Sequence, residues 1–395
     1  MPQGFRCNSR IARLPRTWAK SYHVLLPPAH AIRKDSFPVT SHSKKRVSIL
    51  SRNTKSCREG TRRIASFDCL KWFAVVMVVV GHCVDLATSN SNNYRAIFIF
   101  IYAFHMPLFI FVSGLFDHFR ESFPKRQVLF FLYIGLLLKV TLSVIKGITR
   151  GVVYFSLLSE VDVAWFMFSL AAWRAACYIL RNCRPILIGA LSILVALLFG
   201  YDNVDGDFLC LSRTIVFFPF YYAGYCLSPG KVHDVLHKPR YAIIGMSIIC
   251  VFLAICFTNV DAVYQFRMLF TGRNPYSTIP IADCSWVHRA LCYVVSAVLS
   301  LAFVSVFTYI SNSTIAKLGQ RTLSVYFWHW PVILLLIYFG IPDSLFSHHP
   351  GGIVWILLSL AISVMCSCRA FQLPLSMIQE NLCYTERQLR SGEAL

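Results

Sequence analysis

The sequence predicts an all-α integral membrane protein with about ten transmembrane helices in a single bundle, preceded by a disordered basic tail. Of its 395 residues, 56% are hydrophobic and only 14% charged, whereas soluble domains carry roughly 25% charged residues. Mean hydropathy is +0.57, and apolar runs long enough to cross a bilayer recur from residue 64 onward. Basic residues also alternate from loop to loop, as they do in multi-span proteins.

The tail comes first. Residues 1–63 hold fifteen Lys/Arg against Asp35 and Glu59, a net +13 of the chain's +20. This segment lacks apolar periodicity and contains Pro15, Pro27, Pro28 and Pro38, so residues 1–61 are expected to be disordered. Its composition suits contact with anionic headgroups, an organellar transit peptide or an over-extended gene start. It has no folded element for reading bases, so no nucleic-acid partner is expected.

A transmembrane domain over 62–370 and a short cytoplasmic C-terminal segment, 371–395, complete the organisation. Spans are expected near 64–86, 96–116, 127–145, 164–180, 185–200, 212–228, 241–258, 288–310, 322–340 and 352–369. With the tail inside, the loops 117–127, 181–184, 228–240 and 311–321 hold ten Lys/Arg in 39 residues. The opposite loops hold five in about twice that length and collect eight Asp/Glu, against three in the first set. That asymmetry places both termini in the cytoplasm, and a bacterial inner membrane is the expected location.

The first span reads FDCLKWFAVVMVVVGHC. Lys71 and His82 are eleven residues apart, a separation of about 1100° and roughly 16 Å on a helix, so they share one stripe. An ionisable side chain inside a membrane helix costs on the order of 2.5–3.5 kcal/mol and marks a functional candidate. The plainer reading is a structural Asp68–Lys71 pair at i, i+3 and a histidine bonded to a neighbouring helix.

The second span, IYAFHMPLFIFVSGLF, carries His105 two residues before Pro107, where the helix is loosened. Its Ser113–Gly114 pair allows close approach of another helix. The fourth span opens AWFMFSL, with Trp165 an ordinary interfacial aromatic. The sixth opens SRTIVFFPFYYAGY, with Arg213 at its mouth. A guanidinium there either binds phosphate or carboxylate or snorkels to headgroups. In the ninth, QRTLSVYFWHWPVILLL, Ser324, Tyr326, His329 and Trp330 crowd the turns before Pro331, as an aromatic belt with a buried histidine would.

Eight cysteines fall inside spans as small hydrophobes. Cys210 and Cys284 fall in outside loops, where an oxidising compartment would allow a disulfide. No metal site is expected: Cys366 and Cys368 are too close to form a zinc pair and have no histidine nearby.

Taken in order, Asp68, Lys71-x10-His82, FHMPLFIFVSG, AWF, SRTIVFFPFYYAGY and TLSVYFWHWPV resemble the membrane acyltransferase 3 family over roughly residues 62–370. FFPFYYAGY is most similar to its sugar O-acetyltransferases, including fucose 4-O-acetylase-like proteins. The resemblance implies a ten-helix enzyme that moves an acyl group, usually acetyl, from cytoplasmic acyl-CoA to a carbohydrate hydroxyl. The family's basic-x10-His motif maps onto Lys71 and His82, with lysine where arginine is commoner. Its basic cluster maps loosely onto Arg120, Lys125 and Arg126 in FRESFPKRQ, and Arg213 matches the basic residue before FFxF.

On this reading His82 is the general base, since imidazole titrates near neutral pH. Lys71, catalytic together with His82, also holds acyl-CoA, the co-substrate, with Arg120, Lys125 and Arg126, and no permanently bound cofactor is expected. His105, Ser113, Arg213 and His329 contact the acceptor or the oxyanion. A covalent acyl-enzyme relay remains the alternative chemistry. A transporter or exporter of a lipid-linked sugar is the alternative class, although the two halves show no inverted repeat of the His-bearing motifs.

Overall fold

The computed structural model describes residues 64–117, 122–151, 153, 155–160, 162–203, 206–346 and 351–379. The tail expected over 1–61 lies outside the described residues. The long helices are α1 (Ala65–Asp85), α2 (Asn92–Leu115), α3 (Lys125–Arg150), α4 (Trp165–Ile179) and α5 (Pro185–Leu198). They continue with α6 (Leu211–Tyr225), α7 (Pro239–Thr258), α8 (Trp286–Phe307), α9 (Thr322–Tyr338) and α10 (Gly351–Cys366). Among the described residues there is no strand, only an isolated bridge between Ser159 and Phe208.

These helices fall at the ten expected places, but they are not ten equal crossings. Five (α1, α2, α3, α7 and α8) are long and apolar enough to span, and a sixth follows if α10 is joined to Arg369–Gln379, which is bent from it by 47°. The others, at 14–17 residues, fall short of the ~20 that a bilayer core requires. The C-terminal segment is not wholly separate from the bundle: Trp328 Nε1 donates to Phe371 O at 3.0 Å, and Leu375 is buried.

The apolar surface of each helix faces either protein or lipid, and burial tells which. In α1 and α2, 78% of the most apolar window is buried, against 11% in α7. The first two helices are therefore the centre of the bundle, and α7 is a peripheral, lipid-facing one. α1 packs on α2, α8, α9, α10 and the short helix Ser313–Gly319, while α2 packs most extensively on α6.

Two glycines set the α2–α6 contact. A Cβ at Gly114 would collide with the Tyr221 carbonyl, and one at Gly224 with the Phe111 carbonyl. The close approach expected at Ser113–Gly114 is thus made, with α6 as the partner.

Pro107 lies inside α2 and cannot donate to Ala103 O, four residues earlier. Ser296 of α8 donates to that carbonyl instead, at 2.6 Å. Replacing Ser296 with Ala should leave the buried carbonyl unsatisfied, at a cost of about 1–3 kcal/mol. Thermal unfolding in detergent checks this: an unchanged midpoint would mean that the bond contributes nothing.

Candidate active site

A cavity of about 280 Å³ opens between the end of α1, the middle of α2, the start of α6 and the first turns of α9. Its wall includes His82, Asp85, Tyr102, His105, Asp162, Trp165, Arg213, Arg273, Asn274, Tyr326 and Trp330. Three of the expected site residues therefore meet in one space: His82, His105 and Arg213.

His82 is half-buried on this wall. Its ring stacks on His329 at 5.4 Å between centroids and lies 5.0 Å from the Trp330 ring. Among the described residues no hydrogen bond reaches it, so packing alone sets its orientation. The backbone beneath is tied down, since Trp355 of α10 donates to Cys83 O at 2.8 Å.

The other two histidines are pinned. His105 Nδ1 lies 2.9 Å from Ile101 O, and His329 Nδ1 lies 2.7 Å from Tyr326 O. A carbonyl only accepts, so in each ring Nδ1 carries the proton and Nε2 keeps its lone pair. His105 lines the cavity. His329 is fully buried and stands behind His82, with Nε2 lacking a hydrogen-bond partner.

Arg213 is buried at the cavity edge rather than snorkelling outward. It donates to Glu160 O at 2.6 Å, lies 3.4 Å from Asp207 Oδ1 and covers the Trp165 ring at 5.0 Å. Asp207 also pairs with Arg273, so one carboxylate holds two guanidiniums on the wall. Leu209 (φ 49°) and Cys210 (φ 50°) turn the chain into α6 in the left-handed region, at roughly 1–2 kcal/mol per residue. Backbone bonds offset this: Leu209 N–H donates to Leu158 O at 2.6 Å, and Glu160 N–H to Asp207 O at 2.9 Å.

Glu160 and Asp162 are further tied to α3. Lys139 lies 3.0 Å from Glu160 Oε2, and Lys146 lies 2.6 Å from Asp162 Oδ2. Burial pushes the Glu160 carboxyl above the usual carboxylate range, an effect that Lys139 partly offsets. Cys210 and Cys284 are free thiols, and burial pushes that of Cys210 up to about 12.

The remaining expected residues lie elsewhere. Lys71 is not on the wall; it pairs with Asp68 at 2.6 Å and sits 4.5 Å from the Phe116 ring centre, about 16 Å along α1 from His82. The Ser113 hydroxyl donates back to Phe109 O at 2.7 Å and does not reach the cavity. Lys125 and Arg126 are exposed in the first turn of α3, away from the wall. Arg120 lies outside the described residues.

The reverse also holds. Asp162, Arg273 and Asn274 line the wall without having been candidates, because they sit in loops that carry no periodicity. Trp165 and Trp330, whose sequence context suggests interfacial aromatics, line the wall as well. Among the described residues no cluster fit for a metal ion is found.

A cavity that combines imidazoles, guanidiniums and aromatic walls can bind and orient a polar substrate. Comparison with protein-family models decides the class: a model described as an acyltransferase domain matches residues 64–370. The chain belongs to the acyltransferase 3 family. No curated protein and no solved structure matches. The matched region begins at the start of α1 and ends just past α10, so all ten long helices lie within the acyltransferase domain. Membership makes the protein a membrane acyltransferase, with an acyl donor and an acceptor as its partners, and nothing found favours a sugar exporter.

Proposed function

We propose that this acyltransferase moves an acetyl group from cytoplasmic acetyl-CoA to a hydroxyl of a carbohydrate or glycan, with His82 as general base. The observation that supports this most directly is the position of His82: half-buried, free of hydrogen bonds among the described residues, and on the wall of a cavity shared with His105 and Arg213. A free imidazole nitrogen can take the acceptor's proton as the hydroxyl oxygen attacks the thioester carbonyl. The C–S bond then breaks, and coenzyme A leaves as the thiol once it takes up that proton. The guanidinium of Arg213 and the Asn274 amide are the wall groups suited to the developing oxyanion.

On this reading coenzyme A approaches from the end of α1 that carries Lys71. Lys125 and Arg126 lie in the first turn of α3, in a basic loop, and Arg120 belongs to the same sequence cluster. All three suit the nucleotide phosphates, and the pantetheine arm bridges the distance to His82. The loops around the cavity then face the periplasm of a bacterial inner membrane, with both termini in the cytoplasm. Direct transfer is favoured over a relay through serine because, among the described residues, no serine lines the cavity.

The test is release of coenzyme A thiol by purified protein in nanodiscs, with and without a glycan acceptor. Thiol release should require acetyl-CoA and rise with the acceptor, and mass spectrometry should find the acceptor heavier by one acetyl group. Labelled acetyl-protein trapped without acceptor would overturn direct transfer. Absence of any acetylated sugar, with another alcohol acylated instead, would overturn the glycan assignment.

A further inference from the structure

The cavity wall contains an aromatic side chain whose setting differs from that of an interfacial tryptophan. Trp330 lies on α9, its ring centroid 5.0 Å from that of His82 and tilted by 46°. An interfacial tryptophan turns its N–H toward water and headgroups. Here Trp330 Nε1 donates to Asp162 Oδ1 at 3.4 Å, inside the wall.

Asp162 is itself held. Lys146 of α3 donates to both carboxylate oxygens, at 2.7 and 2.6 Å. The next residue, Val163, accepts from the Tyr326 hydroxyl at 2.5 Å, one turn before Trp330 on the same helix. The indole is thus anchored at its N–H edge, through a carboxylate fixed to a third helix, while its body lies beside the catalytic imidazole. A lysine–aspartate–indole chain of this kind sets the angle of a flat surface next to the base.

The acceptor must bring one hydroxyl to His82 at a defined angle, and the His82 ring has no hydrogen bond of its own to impose that angle. A pyranose ring presents one face rich in C–H groups, which packs on an aromatic plane and leaves its rim hydroxyls free to reach polar neighbours. We propose that Trp330 is the platform on which the acceptor's sugar ring lies, held at its working angle by Asp162 and Lys146. This rests on the glycan-acceptor reading above. Trp330 is the specificity-determining contact, and Asp162 is a positioning residue that acts through it.

The experiment uses the full chain in nanodiscs with acetyl-CoA and two acceptor probes, a methyl pyranoside and an acyclic polyol. Wild type and Trp330→Phe should acetylate the pyranoside in preference to the polyol. Trp330→Ala should raise the pyranoside KM about tenfold and move the acetyl-CoA KM by less than about twofold, the loss of one aromatic contact. Asp162→Asn, which keeps the bulk but weakens the anchor, should shift the pyranoside KM in the same direction by less.

An equal rise in both KM values for Trp330→Ala, or a lower kcat with the pyranoside KM unchanged, would overturn the platform. Failure of Trp330→Phe to retain the preference, in protein that elutes as the wild type does, would do the same. A wild type that acetylates neither probe but does acetylate a non-sugar alcohol would instead overturn the glycan reading on which the platform rests.

Discussion

His82→Ala should lower acyl transfer by about 10²–10⁴-fold, the contribution of a positioned general base, while the protein inserts and elutes as before. The imidazole occupies the cavity wall and makes no hydrogen bond with the described residues, so its removal leaves no buried partner unsatisfied. Packing supports the same expectation: the ring touches His329 and Trp330, and the α1 backbone stays tied to α10 through Trp355. Thiol release with acceptor present, together with the elution profile, is the measurement. Wild-type activity in this variant would move the base assignment to His105, whose Nε2 lone pair is the next available on the wall.

The second large effect is structural. Gly224→Val should abolish folded, monodisperse protein, because the added Cβ overlaps the Phe111 carbonyl, backbone that cannot rotate away. Over-packing of a core costs typically 1–3 kcal/mol when side chains can adjust, and here the obstacle is the neighbouring helix itself. α6 would have to separate from α2 along their most extensive contact, displacing Arg213 from the cavity. Gly189→Ala in α5 is the control: a Cβ there meets nothing within 4 Å, and alanine favours the helix by about 0.5–1 kcal/mol. Solubilised yield and elution after detergent extraction compare the two, and equal yields would show that the α2–α6 contact tolerates a side chain.

Much of the fold is legible in the sequence because burial in a bilayer demands long apolar runs, and ten such runs mark the ten long helices. Their unequal lengths are partly legible, since the runs near 164–180 and 185–200 already read as short. The apolar runs mark the ends of α4, α5, α6 and α9 to within three residues, but not that these helices stop short of a full crossing. Within the site, His82, His105 and Arg213 stood out because an ionisable group in an apolar helix is costly enough to require a reason. The same logic marks Lys71, which pairs with Asp68 at the far end of α1, and Ser113, whose hydroxyl is taken by its own helix. Asp162, Arg273 and Asn274 were invisible for the opposite reason: polar residues in polar loops are unremarkable until the chain brings them to a cavity. Trp330 read as an interfacial aromatic because nothing in its local pattern reveals that its N–H meets a carboxylate 168 positions away.

Because α1 packs against both α9 and α10, the order of synthesis opposes the order of enclosure. α1, the first of the described helices, carries His82 and stays uncovered on one side until α9 and α10 arrive to seal it. Nascent chains that stall before α9 would therefore expose this polar stripe to the bilayer, which makes them natural targets for membrane quality-control proteases.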